Sequence, residues 1–307
     1  MKKRLLVIAV LLMAAFVCIT VLNGMDTELS PSEPSGSGTA ATDTADIKPS
    51  SKGSPYKFYF ERLTPVEKRV YNAIIEKIYD MPERIAVPKI DGKELDNVFS
   101  ALLFDNPDLF FLGRKCAVET RMWLTYFSVD YIVDKADIAD MRERLDRECE
   151  AFEQTLTDPG NQWRTELEIH DHVIDRCEYH DPEGDLIYSS SYGALVDGRA
   201  ACEGYSKAVK LLLDRAGIEN ALISGVSENG EGSGGAHMWN IVNIGGDYYH
   251  LDCTWDDPVS DDGGKLRMYT YFNLSDEMIS GTHRDFSYDF VCNSTAENYY
   301  IKTGTYF

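Results

Sequence analysis

The chain has 307 residues, and 44% of them are apolar, which is enough to form one large folded domain or two smaller ones. Its 51 acidic and 30 basic residues give a formal net charge of −21, and so acidic a chain repels the phosphate backbone of a nucleic acid. This composition excludes global disorder and makes nucleic acid an unexpected partner.

The N-terminus has the features of a membrane-targeting segment. Basic residues at positions 2–4 precede an uncharged, largely apolar stretch over residues 5–22. As a helix this stretch would span about 27 Å, close to the thickness of the hydrocarbon core of a bilayer. We expect residues 1–22 to be an uncleaved anchor, with a cleaved signal as the alternative, and everything after them to be extracytoplasmic, either membrane-anchored or secreted.

The next two regions differ in composition. Residues 23–55 are rich in Ser, Thr, Pro, Gly and Ala, which predicts a flexible linker. Residues 56–162 are mainly helical in pattern, with helices predicted from Thr64-Pro65 to Ile78, over 95–104 and over 138–156, and with a strand over 122–133. Residues 163–307 are assigned to a second domain, which contains the candidate chemistry.

Cys202 is the candidate nucleophile. Apolar residues at helical spacing predict a helix from Cys202 to Gly217, with the cysteine at its N-terminus. The unpaired amides and the helix dipole at this end favour an anion, and the thiolate is the nucleophilic form of cysteine. Gly204 in the first turn lowers helix stability, and we expect it to permit close approach by another backbone segment.

A β-hairpin downstream supplies two further candidate residues. Apolar strands over residues 237–244 and 247–255 flank Gly245-Gly246, which predicts a two-residue turn. The register that this turn imposes places His237 and Asp252 on one face as diagonal neighbours, whereas a slip by one residue would separate them.

These residues can form a catalytic triad. Cys202 would attack, His237 would act as its base and later as an acid, and Asp252 would orient the imidazole. His250 lies on the same predicted face and is a rival for the role of base.

Three separated motifs resemble the transglutaminase-like superfamily, specifically its bacterial exported members. They are GRAACEGYS around Cys202, AHMWN around His237 and YHLDCTWDDP around Asp252, in the order that the family has them. With shorter similar segments at 105–110, 169–171 and 271–276, the resemblance covers most of residues 56–290. It implies an α+β fold of the papain-like type, with the nucleophile helix packed on an antiparallel sheet.

The resemblance also assigns site residues. Carried over by position, the family's triad falls on the same cysteine, histidine and aspartate. Trp239 and Trp255 match aromatic positions around the family's site, and with Tyr205 of the cysteine motif they are predicted to bind the substrate. No match identifies a side-chain oxyanion donor, so only the backbone amide of Cys202 is expected to serve. The sequence shows no β-barrel domains of the animal tissue transglutaminases, so it offers no basis for their calcium activation.

No metal or cofactor is expected. His170, His172 and His180 have no adjacent Cys or Glu to complete a ligand set. A cluster of aspartates is formed by Asp256, Asp257, Asp261 and Asp262. It lacks the alternating spacing of a calcium loop and is predicted to be a solvated turn. Its first two members are expected to shape the rim of the site.

The predicted activity is acyl transfer or hydrolysis at a protein or peptide amide, with an amine or water as acceptor. The first alternative is a cysteine peptidase, because hydrolysis of a thioester formed from a backbone amide is proteolysis. The second is a non-catalytic binding module at the cell surface, against which the complete triad argues.

Overall fold

The structure, a computed structural model, describes residues 47–181, 184–228, 234–258, 265–287 and 290–305. The predicted anchor over residues 1–22 and most of the predicted linker lie outside these residues. No helix in the described ranges is both long and apolar enough to cross a bilayer.

Helices and short sheets succeed one another along the chain. The α-helices are α1 (Phe58–Glu61), α2 (Pro65–Ile78), α3 (Gly92–Asp105), α4 (Ile138–Glu153), α5 (Gln162–Arg176), α6 (Cys202–Arg215), α7 (Asp276–Ile279) and α8 (Tyr299–Thr303). The strands are β1 (Ile85–Val87), β2 (Leu112–Arg121), β3 (Leu124–Tyr131), β4 (Glu178–Tyr179), β5 (Arg199–Ala200), β6 (Asn220–Glu228), β7 (Gly234–Ile244), β8 (Asp247–Leu251) and β9 (His283–Arg284). A 3₁₀ turn (Leu186–Ser189) and a π-helical turn (Gly193–Asp197) precede β5.

The N-terminal helices begin where capping residues allow. α2 begins at the predicted Thr64-Pro65, where Thr64 also forms a capping box with Glu67. α3 begins before the predicted residue 95 because Asp91 caps it, with its side chain accepting the Glu94 amide at 2.9 Å. α4 starts at the predicted Ile138.

The strand predicted over residues 122–133 is one arm of a hairpin. β3 lies in the middle of a three-stranded antiparallel sheet with the order β1-β3-β2. β2, in which Cys116 and Val118 are buried, was not predicted from the sequence.

A second antiparallel sheet, in the order β8-β7-β6-β9, carries the candidate site. α6 packs on β7 and β6 of this sheet. The predicted α+β fold, with the nucleophile helix on an antiparallel sheet, is confirmed.

One hydrophobic core joins the two predicted domains. A single cluster of buried side chains draws on α1, α3, α6 and β8, for example through Phe60, Leu102, Leu212 and Leu251. The core therefore does not break at the boundary predicted between residues 162 and 163. The predicted linker is also too long, because Ser54 is buried and its amide donates to Oδ1 of Asn106 at 3.2 Å.

Candidate active site

Cys202 is the first residue of α6, as predicted. Ala201 is the N-cap, with extended backbone (φ −84°, ψ 178°), and no side chain caps this helix end within the described part of the chain. The cysteine is largely buried, with 6% of its surface exposed, and packs against Leu222 and Met238. The first amides and the dipole of α6 therefore lie beside the sulfur.

Gly204 lets the first turn of α6 touch the preceding segment. A Cβ at this position would lie 2.7 Å from the carbonyl oxygen of Tyr188 and 3.0 Å from that of Ser190. The same Tyr188 carbonyl accepts the amide of Ala201 at 2.9 Å. The predicted close backbone approach is confirmed, and it fixes the residue before the nucleophile.

The β7–β8 hairpin has the predicted register. Ile241 faces His250 across the Gly245-Gly246 turn, whose residues have φ of 67° and 101°. Positive φ at both central positions is typical of the tight turns that join antiparallel strands. This register brings Nε2 of His237 to 2.6 Å from Oδ2 of Asp252.

Asp252 lies just beyond the end of β8. Its Oδ1 accepts the backbone amides of Thr254 at 3.0 Å and Trp255 at 3.2 Å. This local turn ends the ladder at Leu251, so the prediction of a strand continuing to residue 255 is wrong. The turn also fixes the carboxylate with Oδ2 directed at His237.

The imidazole of His237 connects the thiol to the carboxylate. Burial lowers the pKa of His237, but the charge and hydrogen bond of Asp252, helped by a hydrogen bond with Cys202, raise it to about 10. Burial raises the pKa of Asp252, but its two histidine partners, His237 and His283, hold it well below its usual range. The favoured state at neutral pH is therefore an imidazolium beside an ionised carboxylate. Because Nε2 of His237 faces Asp252, Nδ1 is the nitrogen available to the thiol.

His283 is a further member of the site that the sequence analysis missed. Its Nε2 lies 3.0 Å from Oδ2 of Asp252, and its side chain is fully buried. The pairing of β9 with β6, in which His283 faces Ser227, brings it there. The chain around His283 has no strand-like alternation, so no sequence pattern indicated this pairing.

Two of the three predicted substrate-binding residues are inaccessible. Trp239 is completely buried, stacks on His237 with 5.8 Å between ring centroids, and donates Nε1–H to Nδ1 of His250 at 2.9 Å. Tyr205 is also completely buried, and its hydroxyl donates to Oδ2 of Asp257 at 2.6 Å. Contrary to the prediction, neither side chain is open to a substrate. Trp239 packs against the ring of His237, and Tyr205 hydrogen-bonds to the loop after Asp252.

Trp255 and Tyr179 are aromatic side chains that reach the surface near the triad. Trp255 is partly exposed, with its ring 6.2 Å from that of His237, so its predicted contact with substrate stays a prediction. Tyr179 is 43% exposed, and burial together with the charge of the nearby Cys202 raises its pKa to about 12. The sequence analysis missed Tyr179, which β4 places beside the nucleophile by pairing with β5.

His250 does not compete for the role of base. Its Nε2 lies 2.9 Å from Oδ1 of Asp276, and its Nδ1 accepts the Trp239 indole. Burial lowers the pKa of His250, and both ring nitrogens are engaged. Its function in this fold is to anchor Trp239.

The prediction of a solvated aspartate turn is wrong for Asp256. This residue is fully buried, with Oδ2 at 3.2 Å from Nε2 of His170, whose Nδ1 lies 3.1 Å from Asp171. Burial lowers the pKa of His170, but these two carboxylates raise it further than burial lowers it. The pair anchors the loop that begins at Asp252. Residues 261 and 262 lie outside the described ranges.

Two groups of described residues bring possible metal ligands within 4.8 Å of one another: His237, Asp252 and His283, and His250, Asp276 and Cys292. Neither includes the histidines considered from the sequence. In both groups the histidine nitrogens already face carboxylate oxygens at hydrogen-bond distance. The expectation that the chemistry needs no metal stays a prediction.

The six described cysteines are all free and buried; they are Cys116, Cys149, Cys177, Cys202, Cys253 and Cys292. The five other than Cys202 differ from it in their surroundings. Burial raises the thiol pKa to about 12 for Cys116, Cys149, Cys177 and Cys292, and well above the usual value for Cys253. A thiolate is therefore disfavoured at these five positions.

Comparisons with known proteins agree with the motifs. Residues 150–253, which include Cys202, His237 and Asp252, match the family model of the transglutaminase-like superfamily. The resemblance predicted from the sequence is confirmed over these residues. No curated protein matches the chain.

Solved structures match more distantly. A structure described as that of a TGase is 14% identical, with a TM-score of 0.31, and the match covers 56% of this chain and 50% of that one. A "putative cysteine protease" from Cytophaga hutchinsonii is 15% identical, with a TM-score of 0.30 and coverage of 47% and 56%. A "putative protease" from Parabacteroides distasonis is 17% identical, with a TM-score of 0.29 and coverage of 52% and 34%. The chain thus spans between about a third and just over half of the length of these structures.

Proposed function

We propose that this chain is an extracytoplasmic cysteine enzyme that transfers acyl groups from protein or peptide amides through a thioester. The observation that carries the proposal is the position of His237. Asp252 lies 2.6 Å from its Nε2, and Cys202 is close enough to the same ring to raise its pKa. A nucleophile, a base and a group that orients the base, in this order of contact, are the parts of a catalytic triad.

In the acylation step, the thiolate of Cys202 attacks the carbonyl carbon of an amide, and a C–S bond forms. The backbone amide of Cys202 stabilises the oxyanion of the tetrahedral intermediate. The intermediate collapses with cleavage of the C–N bond, and the imidazolium of His237 gives its Nδ1 proton to the leaving nitrogen. Asp252 remains ionised and holds the imidazole through Nε2.

In the second step, neutral His237 accepts a proton from an amine or a water molecule as it attacks the thioester carbon. The C–S bond breaks, which restores the thiolate and the imidazolium. An amine yields a new amide, and water yields a carboxylic acid. With a glutamine side chain as donor the products are cross-linked or deamidated peptides, whereas with a backbone amide the same steps cleave the chain.

The surroundings indicate the kind of substrate. Trp255 and Tyr179 lie at the open side of the triad, and we expect them to contact the segment that carries the reacting amide. The net charge of −21 favours a cationic acceptor, such as a lysine side chain or a polyamine. The apolar stretch over residues 5–22 would hold the enzyme at the outer face of a membrane.

The test uses the full-length chain and its Cys202→Ala variant. The matched control is Cys149→Ala, which removes a buried thiol that is not part of the site. Each protein is incubated with glutamine-containing peptides and a primary amine, and the products are identified by mass spectrometry. We expect amine adducts or deamidated peptides with the wild type and the control, and none with Cys202→Ala.

Other outcomes are equally informative. Shortened peptides that depend on Cys202 would identify a peptidase, with the same chemistry directed at backbone amides. The absence of all three products, together with a Cys202 that iodoacetamide modifies no faster than a free thiol, would contradict the proposal and favour a binding module.

A further inference from the structure

We propose that His283 is a positioning residue that holds the Asp252 carboxylate in the orientation needed by His237. The inference rests on the proposed function, because it concerns the same triad. The carboxylate has two oxygens with separate tasks: Oδ1 accepts the amides of Thr254 and Trp255, and Oδ2 faces the two histidines. Oδ2 is the atom that orients the base.

The partner of Nε2 defines the donor in this contact. Nε2 of His283 lies 3.0 Å from Oδ2 of Asp252, and an ionised carboxylate oxygen can only accept. The hydrogen on Nε2 therefore points at Oδ2, while Nδ1 lies 2.9 Å from the hydroxyl of Thr282. His283 is therefore a donor to the carboxylate.

Aromatic rings surround the His283 ring. Its side chain is completely buried, with the rings of Trp239 and Trp255 each 4.9 Å away between centroids and that of Tyr271 at 5.5 Å. Its backbone is held by the pairing of β9 with β6, and just before β9 the carbonyl of Thr282 accepts the amide of Glu228 at 2.8 Å. A rigid donor in this position limits rotation of Asp252 about its side-chain bonds.

This contact has a consequence for catalysis. Asp252 lies beyond the end of β8, and the amides of its turn hold Oδ1 but not Oδ2. The two histidine nitrogens at Oδ2 keep this oxygen in place while His237 gains and loses its Nδ1 proton. Without His283, Oδ2 would keep the contact with His237 alone, and the imidazole would be oriented less firmly.

The test compares two substitutions in the full-length protein. His283→Gln keeps an N–H donor near the position of Nε2, whereas His283→Phe keeps a buried ring of similar size but has no donor. We expect His283→Phe to lower kcat about 10- to 100-fold with little change in KM, which is the effect of losing one hydrogen bond to a charged group. We expect His283→Gln to restore kcat to within about threefold of the wild type.

A second readout does not depend on turnover. The rate at which iodoacetamide modifies Cys202 should fall in His283→Phe and recover in His283→Gln, because the thiolate depends on an oriented His237. If the His283→Phe variant keeps full activity while the His283→Gln variant does not, His283 acts only by filling space, and the inference is overturned. If wild-type Cys202 is itself unreactive, the proposed function fails first. Circular dichroism and thermal unfolding establish that both variants are folded.

Discussion

The substitution Asp252→Asn tests the electrostatic basis of the triad. The charge and hydrogen bond of Asp252 raise the pKa of His237 from the ordinary 6.5 to about 10 against the effect of burial. Asparagine is neutral, so burial would then dominate, and we expect the pKa of His237 to fall below 6.5. The imidazolium would be lost at neutral pH.

Geometry adds to this effect. The side-chain oxygen at position 252 should remain with the amides of Thr254 and Trp255, because this turn needs an acceptor. The NH₂ group of asparagine would then replace Oδ2 and donate to Nε2 of His237. This forces the hydrogen of the neutral ring onto Nδ1, where it cannot accept the proton of the thiol.

Together these effects should lower kcat about 10,000-fold, which is the size that the equivalent substitution has in a serine protease triad. The assay is amine incorporation at pH 7, combined with rates of Cys202 alkylation between pH 5 and 9. The matched control is Asp105→Asn, a buried carboxylate that accepts the amides of Tyr59 and Phe60 in the N-terminal region. An Asp252→Asn enzyme within tenfold of the wild type, with an unchanged alkylation profile, would refute the reasoning.

Four further predictions concern stability, reactivity and metals. Because the pKa of His237 is raised, its imidazolium contributes its full stabilisation below about pH 6.5 and loses it as the pH rises towards 10. The difference in Tm between the wild type and His237→Gln should therefore shrink over that range. A constant difference would argue against the raised pKa. Gly225→Ala should lower the free energy of unfolding by about 1–3 kcal/mol in urea titrations, because its Cβ would lie 2.7 Å from the Trp239 ring, and an unchanged midpoint would contradict this packing. Brief treatment of the native protein with iodoacetamide should label Cys202 more than the other described cysteines, because burial disfavours the thiolate form of the others. Peptide mapping that finds equal labelling at another described cysteine would contradict this prediction. Dialysis against EDTA should leave kcat unchanged, and a loss restored by zinc or calcium would show that the chemistry needs a metal.

Local sequence rules predicted much of the site. The position of Cys202 followed from helical spacing, and the facing of His237 and Asp252 followed from a turn of two glycines, whose positive φ values fix the register. Both depend on interactions within a few residues along the chain. The family motifs point to the same residues.

Long-range pairings were beyond such rules. His283 reaches Asp252 because the two-residue strand β9 joins β6, and Tyr179 reaches Cys202 because β4 joins β5. Strands this short have no periodicity to detect. The burial of Trp239 and Asp256 was missed for a related reason, since each is held by a histidine distant in sequence or on the neighbouring strand.

The central claim is that Cys202 becomes acylated. The most direct measurement mixes the full-length protein with a glutamine-containing peptide in the absence of an added amine, quenches the reaction in acid within the first turnover, and records the intact mass. The account predicts a species heavier by the mass of the peptide less that of ammonia, mapped to Cys202 and removed by hydroxylamine. A mass that stays unchanged with every peptide tested, or an adduct that persists in Cys202→Ala, would contradict it.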